Sequence, residues 1–210
     1  MIITDLIHRL EVREQEFVTA DEIKKFCKIA GFQYDNVVKY LEEQKYLQRI
    51  FRGIFHVISY SRNNTKYNHL ELVAKGLELK GIENWYCGLH TALKFNNMTH
   101  ETFVIDDVIS DSIFRQNPMT IADHKFRFIK ISKKLMHFGI KKYGLVKFSD
   151  PEKTILDFIY LGKYNGKSNK RIVSDVYDWS QNIHKDILKQ YSKHYPKTIR
   201  EIIQEILYEI

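Results

Sequence analysis

Proline and cysteine are scarce: three and two residues in a chain of 210. So little proline leaves no room for an extended polyproline linker. Cys27 and Cys87 are too few and too far apart for a disulfide framework or a CxxC metal or redox pair. Both sit in apolar helical patterns and read as buried thiols of a reducing compartment. No apolar run approaches the roughly 20 residues of a membrane-spanning helix. The N-terminus carries Asp5 and lacks the basic, apolar, small-residue order of a secretory leader, so the cytoplasm is the expected location and no membrane partner is expected. GxGxxG, P-loop, HExxH and GxSxG signatures are all missing. The nine histidines show no ligand spacing. No catalytic residue, metal or cofactor is therefore expected. Internal repeats and low-complexity segments are also lacking.

What is abundant is aromatic and charged. Aromatic residues make up 13% and hydrophobic residues 44%, the composition of a folded chain with a proper core. The formal charge of +7 favours a polyanionic partner, although lysine surplus is also a habit of AT-rich genomes.

The stretch from Thr19 to Tyr60 organises the N-terminal part. Before it, Ile3, Leu6, Ile7 and Leu10 mark one face of a helix over 2–12, and Phe17-Val18 reads as a short strand. Thr19 and Glu22 have capping-box spacing. Ile23, Phe26, Cys27 and Ala30 then recur as one buried helical face, and Gly31 suits a helix C-terminus. A second helix over 34–46 turns Val37, Val38 and Leu41 inward and Asn36, Lys39 and Glu43 outward. Leu47, Arg49 and Phe51, then Ile54, His56 and Ile58, alternate as strands would, around a tight turn at Arg52-Gly53. Helix, turn, helix and ribbon in this order predict a winged helix-turn-helix, a unit that docks on duplex DNA. Its basic residues gather from Lys39 onward, where phosphate contacts would lie. Gln33, Tyr34, Asn36 and Lys39 are the residues expected near base edges; Arg49, Arg52 and Arg62 are those expected to hold phosphates. The bland alternative is a helical subdomain used only for packing.

The polar run SRNNTKYNH marks the expected boundary between a first domain, 1–64, and a second, 65–210. The second domain reads as mixed. Helices are expected over 70–79, 85–95, 151–162, 171–179, 183–191 and 198–210, and strands over 102–108, 125–132 and 138–148. The fold class is therefore α+β, with a small, mostly antiparallel sheet and C-terminal helices. Ser149 or Asp150 caps the helix begun by Pro151-Glu152, and Ile155, Leu156 and Ile159 are its buried side. One constellation touches chemistry. Asp106 and Asp107 end a strand and Asp123-His124-Lys125 opens another, a spacing metal-dependent nucleases use; solvated strand ends are the default reading. KFRFIKISKK, basic with interleaved aromatics, is a candidate second nucleic-acid face or a strand with one solvated side.

Three segments together carry a resemblance: FVTADEIKKFCKIAGFQYDNVVKYLEEQKYLQRIFRGIFHV, the helical CGLHTALKF, and SDPEKTILDFIYL. The chain resembles the AbiEi family of type IV antitoxins, winged-helix regulators encoded beside AbiEii-type nucleotidyltransferase toxins. The resemblance implies a non-enzymatic repressor that binds duplex DNA at its own promoter. It implies a C-terminal domain supporting antitoxicity toward a cognate nucleotidyltransferase, with no direct contact required. A homodimer on DNA is compatible with it. The chain departs from the pattern in one respect: its recognition helix carries few basic residues and two acids, Glu42 and Glu43. Two other classes remain open: a metal-dependent nuclease with a DNA-targeting wing, and an adaptor whose winged helix binds protein.

Overall fold

The computed structural model describes residues 4–12, 14–58, 67–181 and 183–209. The chain divides into two compact units, 1–81 with 120–123 and 82–119 with 124–210. The class is α+β. No described helix is long and apolar enough to cross a membrane.

The first unit starts with α1 (Thr4–Val12), which buries Leu6, Ile7 and Leu10; Ile3 lies outside the described residues. β1 (Phe17–Thr19) leads into α2 (Ala20–Ala30). Here Thr19 and Glu22 form the expected capping box, and Gln15 adds a bond to Glu22 at 2.8 Å. Partial burial pushes the Glu22 carboxyl up, but the bonds from Thr19 and Gln15 outweigh it and hold its pKa below the usual value. α3 (Tyr34–Glu43) follows across a turn, with Val37, Val38 and Leu41 buried. It stops three residues before the expected Tyr46. Lys45, at φ 57°, takes the left-handed position, and Tyr46 N–H reaches the Leu41 carbonyl while Lys45 N–H reaches that of Glu42. These paired bonds make a Schellman cap without glycine, so the sequence carries no stop signal there.

β2 (Leu47–Phe51) and β3 (Ile54–Val57) form the ribbon, with β1 on the far side of β3. The simple alternation expected for the ribbon does not hold. The register shifts between Arg49 and Phe51, so Ile50 and Phe51 are both buried. On β3 the fully enclosed residue is Phe55. The sheet is covered twice. Leu47, Phe55 and Val57 join the core with α1, α2 and α3. On the opposite side, α4 (His69–Leu79) lies against β2, with Gly76 so close that an added Cβ would sit 2.7 Å from Ile50 and from the Phe51 ring.

The second unit holds most of a six-stranded mixed sheet, in the order β6-β7-β5-β4-β9-β8. β4 (Trp85–Cys87) is a strand where a helix was expected from Trp85; the helix, α5 (Leu89–Phe95), begins only after Gly88. A Cβ on Gly88 would run into the Ile109 side chain, which explains glycine at this sharp strand-to-helix passage. β5 (Ile105–Ser110), β6 (Met119–Ile121) and β7 (His124–Lys130) follow, then the hairpin of β8 (Ile140–Tyr143) and β9 (Val146–Ser149). β4 pairs antiparallel with β5, and β8 with β9. The β5–β7 and β4–β9 ladders are parallel, so the sheet is more mixed than the sequence suggests.

Four helices complete this unit: α6 (Pro151–Tyr164), α7 (Asn169–Ser180), α8 (Lys185–Ser192) and α9 (Lys197–Glu209). Asp150, not Ser149, caps α6 by accepting from the Lys153 N–H. Ile155, Leu156 and Ile159 are buried as expected, with Ile172, Leu188 and Ile203 in the same core. The same helix buries charge. Lys153 and Asp157, one turn apart, are both fully enclosed, 3.2 Å from ammonium to carboxylate. The hydroxyls of Tyr86 and Tyr195 donate to Asp157 at 2.7 and 2.8 Å. The ammonium also lies 4.8 and 4.7 Å from the ring centres of Tyr86 and Phe138. Burial and the Asp157 charge push both tyrosine hydroxyls well above their usual pKa, so they remain donors.

Two stability outcomes follow. Gly76→Ala, a change that gains about 1 kcal/mol in an open helix, is expected to cost about 1–3 kcal/mol here by overpacking against Ile50 and Phe51. Urea denaturation of the variant would show this as a lower midpoint; a higher one would mean α4 is free to retreat. Lys153→Met should cost about 3–5 kcal/mol by leaving Asp157 charged and buried. Lys153→Met/Asp157→Asn should recover part of that loss in the same assay, whereas a purely steric role for Lys153 predicts no recovery.

Candidate nucleic-acid interface

The described residues among those expected to meet DNA fall on α3 and its cap, on β2 and at the ribbon turn. Gln33 is the N-cap residue of α3, exposed, and its side chain makes no capping bond. Asn36 and Lys39 are exposed on the outer face, one helical turn apart. Tyr34 is half-buried, with the Lys24 ammonium 5.5 Å from its ring centre. Burial raises the Tyr34 hydroxyl above its ordinary pKa, so it stays protonated and able to donate. Gln33 stands at the cap of the helix, and Tyr34, Asn36 and Lys39 lie in its first two turns.

Arg52 is exposed at the turn, beside Gly53 at φ 78°. The Gly53 carbonyl accepts from the Ala20 N–H at 2.8 Å, which ties the turn to the start of α2. Arg62 lies outside the described residues. Arg49 is placed differently from Arg52. Its Nε and Nη2 bond the two oxygens of Glu42 at 3.0 and 2.7 Å, a bidentate pair linking ribbon to α3. Its guanidinium lies 4.8 Å from the centre of the buried Phe55 ring. The bond to Glu42 raises the pKa of Arg49 further. One of the two acids in the last turn of α3 is thereby neutralised. The other, Glu43, is exposed with Lys39 at 3.9 Å, a contact too open to hold either side chain. The pairing of Arg49 with Glu42 had no signal in the sequence beyond their opposite charges, because it crosses from helix to strand.

The residues that suggested metal chemistry are placed as follows. Asp106 and Asp107 lie near the start of β5, not at its end. Lys125 stands opposite Ile105 in the β5–β7 ladder. Asp123 is in the turn before β7, in a left-handed conformation at φ 62°. Asp107 is fully buried and already holds two protein partners: Arg127 Nε at 2.6 Å and His90 Nδ1 at 3.1 Å. Thr91 Oγ1 donates to Asp106 at 3.1 Å and accepts the Asp107 N–H at 2.7 Å. The His90 ring in turn packs against Phe103 and Phe158, with ring centres 4.6 and 5.1 Å away. This polar cluster fastens α5 to β5 and β7. In KFRFIKISKK, Phe126 and Phe128 are buried in the sheet, which removes the aromatics that would stack on bases and leaves the lysines, with Arg127 partly exposed, outward.

No protein-family model matches the sequence, and no curated protein does. The structure is similar to the crystal structure of the Rv2827c protein from Mycobacterium tuberculosis, with a TM-score of 0.61 and 10% sequence identity. The match covers 98% of this chain and 76% of that one, so the likeness spans both units and concerns the fold.

Proposed function

We propose that this protein is a non-enzymatic regulator that binds duplex DNA through α3 and the ribbon turn, and that it serves as the antitoxin of a type IV toxin–antitoxin pair. The observation that carries the DNA reading is the exposed face of the cap and first two turns of α3. There Gln33, Asn36 and Lys39 stand clear of the core on a helix fixed from behind by α2 and from the side by Arg49. Amide side chains at the start of a helix are the groups that read adenine in a major groove, and Lys39 and Arg52 are free to meet phosphates. The antitoxin reading rests on the sequence resemblance of all three segments to AbiEi proteins, and the two-unit fold is compatible with it. Duplex DNA upstream of its own gene is the proposed ligand, and a nucleotidyltransferase toxin the proposed counterpart. Arg49 is assigned a positioning role: it cancels Glu42 and joins helix to ribbon.

A salt titration on the duplex upstream of the gene, with a scrambled duplex as control and magnesium present, tests this directly. Sequence-dependent binding without cleavage is expected. Asn36→Ala should cost about 1–3 kcal/mol of discrimination, while Arg52→Ala should weaken all duplexes alike and lower the salt slope by about one. Absence of binding above the control would point to a protein-binding adaptor. Cleavage in magnesium would point to a nuclease. For Arg49, the informative comparison is a pair of variants. Arg49→Gln should weaken binding by exposing Glu42, and Glu42→Gln/Arg49→Gln should return to within about threefold of the parent, since coupled neighbours are not additive. A double variant as weak as Arg49→Gln would make Arg49 a phosphate contact instead. Antitoxicity is read by co-expression with the neighbouring nucleotidyltransferase, where restored growth is the expected result.

A further inference from the structure

The second unit carries a lysine cluster that DNA docking through α3 does not use. β8 is an edge strand of the six-stranded sheet, and β9 lies inside it, between β8 and β4. In the β8–β9 ladder Lys142 stands directly opposite Lys147. Directly opposed residues of an antiparallel pair share a face with Cβ atoms about 4.5–5.5 Å apart, and like charges there repel. Lys141 and Lys142 are exposed and have no ion-pair partner among the described residues. The Lys147 ammonium donates to the Glu83 carbonyl at 2.7 Å and lies 5.6 Å from the Trp85 ring centre, again with no carboxylate paired to it.

These three lysines line one cavity of about 310 Å³, whose apolar wall includes Met136 and Ile140. Glu83 is the acidic residue of that lining and is exposed. The buried Asp150 feels the charge of Lys141. Edge strands often carry lysine to discourage pairing with another chain. That accounts for Lys141 and Lys142 on β8. It does not account for Lys147 on an interior strand, nor for its place opposite Lys142, where an acid would have made a favourable pair. A repulsive pair held around a concavity is relieved when an anion enters between its members.

We propose that this concavity binds the diphosphate or triphosphate group of a small molecule. Ammonium groups act on phosphate as point charges, and adjacent phosphates match charges spread over two strands. The Met136 and Ile140 wall gives an organic substituent an apolar surface to lie on. This site is in the second unit and stands independently of the DNA reading.

The test uses the full chain and sodium pyrophosphate, followed by calorimetric titration and by thermal melting. Pyrophosphate should bind the parent protein and raise its melting temperature. Lys142→Gln and Lys147→Gln should each weaken binding by about tenfold or more, a difference of about 1.4 kcal/mol, while Lys39→Gln on α3 leaves it unchanged. Without ligand, Lys142→Gln should melt no lower than the parent, since a repulsion has been removed. ATP displacing pyrophosphate would assign the site to a nucleotide; failure to displace it would assign it to pyrophosphate itself or a smaller ester. No pyrophosphate binding to the parent, or equal binding by all four proteins, overturns the proposal. So does a loss of duplex-DNA affinity in Lys142→Gln without any pyrophosphate binding, which would make the lysines a polymer contact.

Discussion

Burial of the three-stranded sheet on both faces is the constraint on which the first unit depends. A short ribbon with one wet face has little to hold it, and isolated hairpins are marginal in water. Here Leu47, Phe55 and Val57 face the α1–α3 core, while Ile50 and Phe51 face α4. Two inward faces cannot be served by strict alternation of apolar and polar residues. The register shift after Arg49 solves this by turning two successive residues, Ile50 and Phe51, into buried positions. It leaves Arg49 on the α3 side, over the Phe55 ring and paired with Glu42. The bulge thus does two jobs at once: it completes the packing under α4 and it aims the guanidinium at the helix. The close approach at Gly76 is the other half of the same arrangement, because a side chain there would hold α4 away from the ribbon.

The second unit is organised around a buried charge instead of a buried sheet face. Asp157 takes three donors, from Lys153, Tyr86 and Tyr195, which come from α6 itself, from β4 and from the segment before α9. Desolvating an ammonium and a carboxylate is expensive, and apolar residues of the same volume commonly do as well for stability. What the charged version adds is direction. Asp157 has oxygens to satisfy and the tyrosines have one hydroxyl each, so β4 and the α8–α9 connection can meet α6 in one way. Asp150 and Glu152 extend the pattern at the start of the helix. The former accepts from Tyr191, and the latter from the backbone and ring of His184. The four charged residues of SDPEKTILD, Asp150, Glu152, Lys153 and Asp157, therefore tie this helix to its neighbours.

Local signals were legible in the sequence and non-local ones were not. The Thr19–Glu22 capping box, the inward faces of α2 and α3, and the start of α6 at Pro151 all depend on residues within one turn of each other. The end of α3 was missed because Lys45 takes a left-handed position that glycine usually marks. Trp85-Tyr86-Cys87 falls within the helix expected over 85–95; the strand there is set by pairing with Val108–Ser110, far along the chain. The second face of the ribbon was invisible for the same reason, since α4 supplies it. Among candidate site residues, the exposure of Asn36, Lys39 and Arg52 could be read from periodicity. So could the burial of Phe126 and Phe128, which alternate with basic residues along β7. The engagement of Arg49 by Glu42 and the enclosure of Lys153 could not. A charged residue's partner is fixed by tertiary contact, and composition carries no record of it.

The distribution of charge along α3 bears on how the proposed docking would work. The helix carries Asp35, Glu42 and Glu43 against Lys39, an unpromising balance for a surface that meets phosphates. Position changes that judgement. Asp35 lies in the first turn, where the helix dipole favours an acid. Glu42 is cancelled by Arg49. Glu43 lies seven residues beyond Asn36, about 10 Å along the axis at 1.5 Å per residue, which is about one screening length at 0.1 M salt. A recognition helix that enters the groove by its first turns places base edges at Gln33 and Asn36 and leaves its last turn outside. The acids of α3 then select the end by which the helix approaches, since the opposite approach would bring Glu43 against the phosphates. Affinity in such a design comes from few cations, Lys39 and Arg52 among them, and discrimination from amides; that combination favours a repressor that tells sequences apart over one that coats DNA indiscriminately.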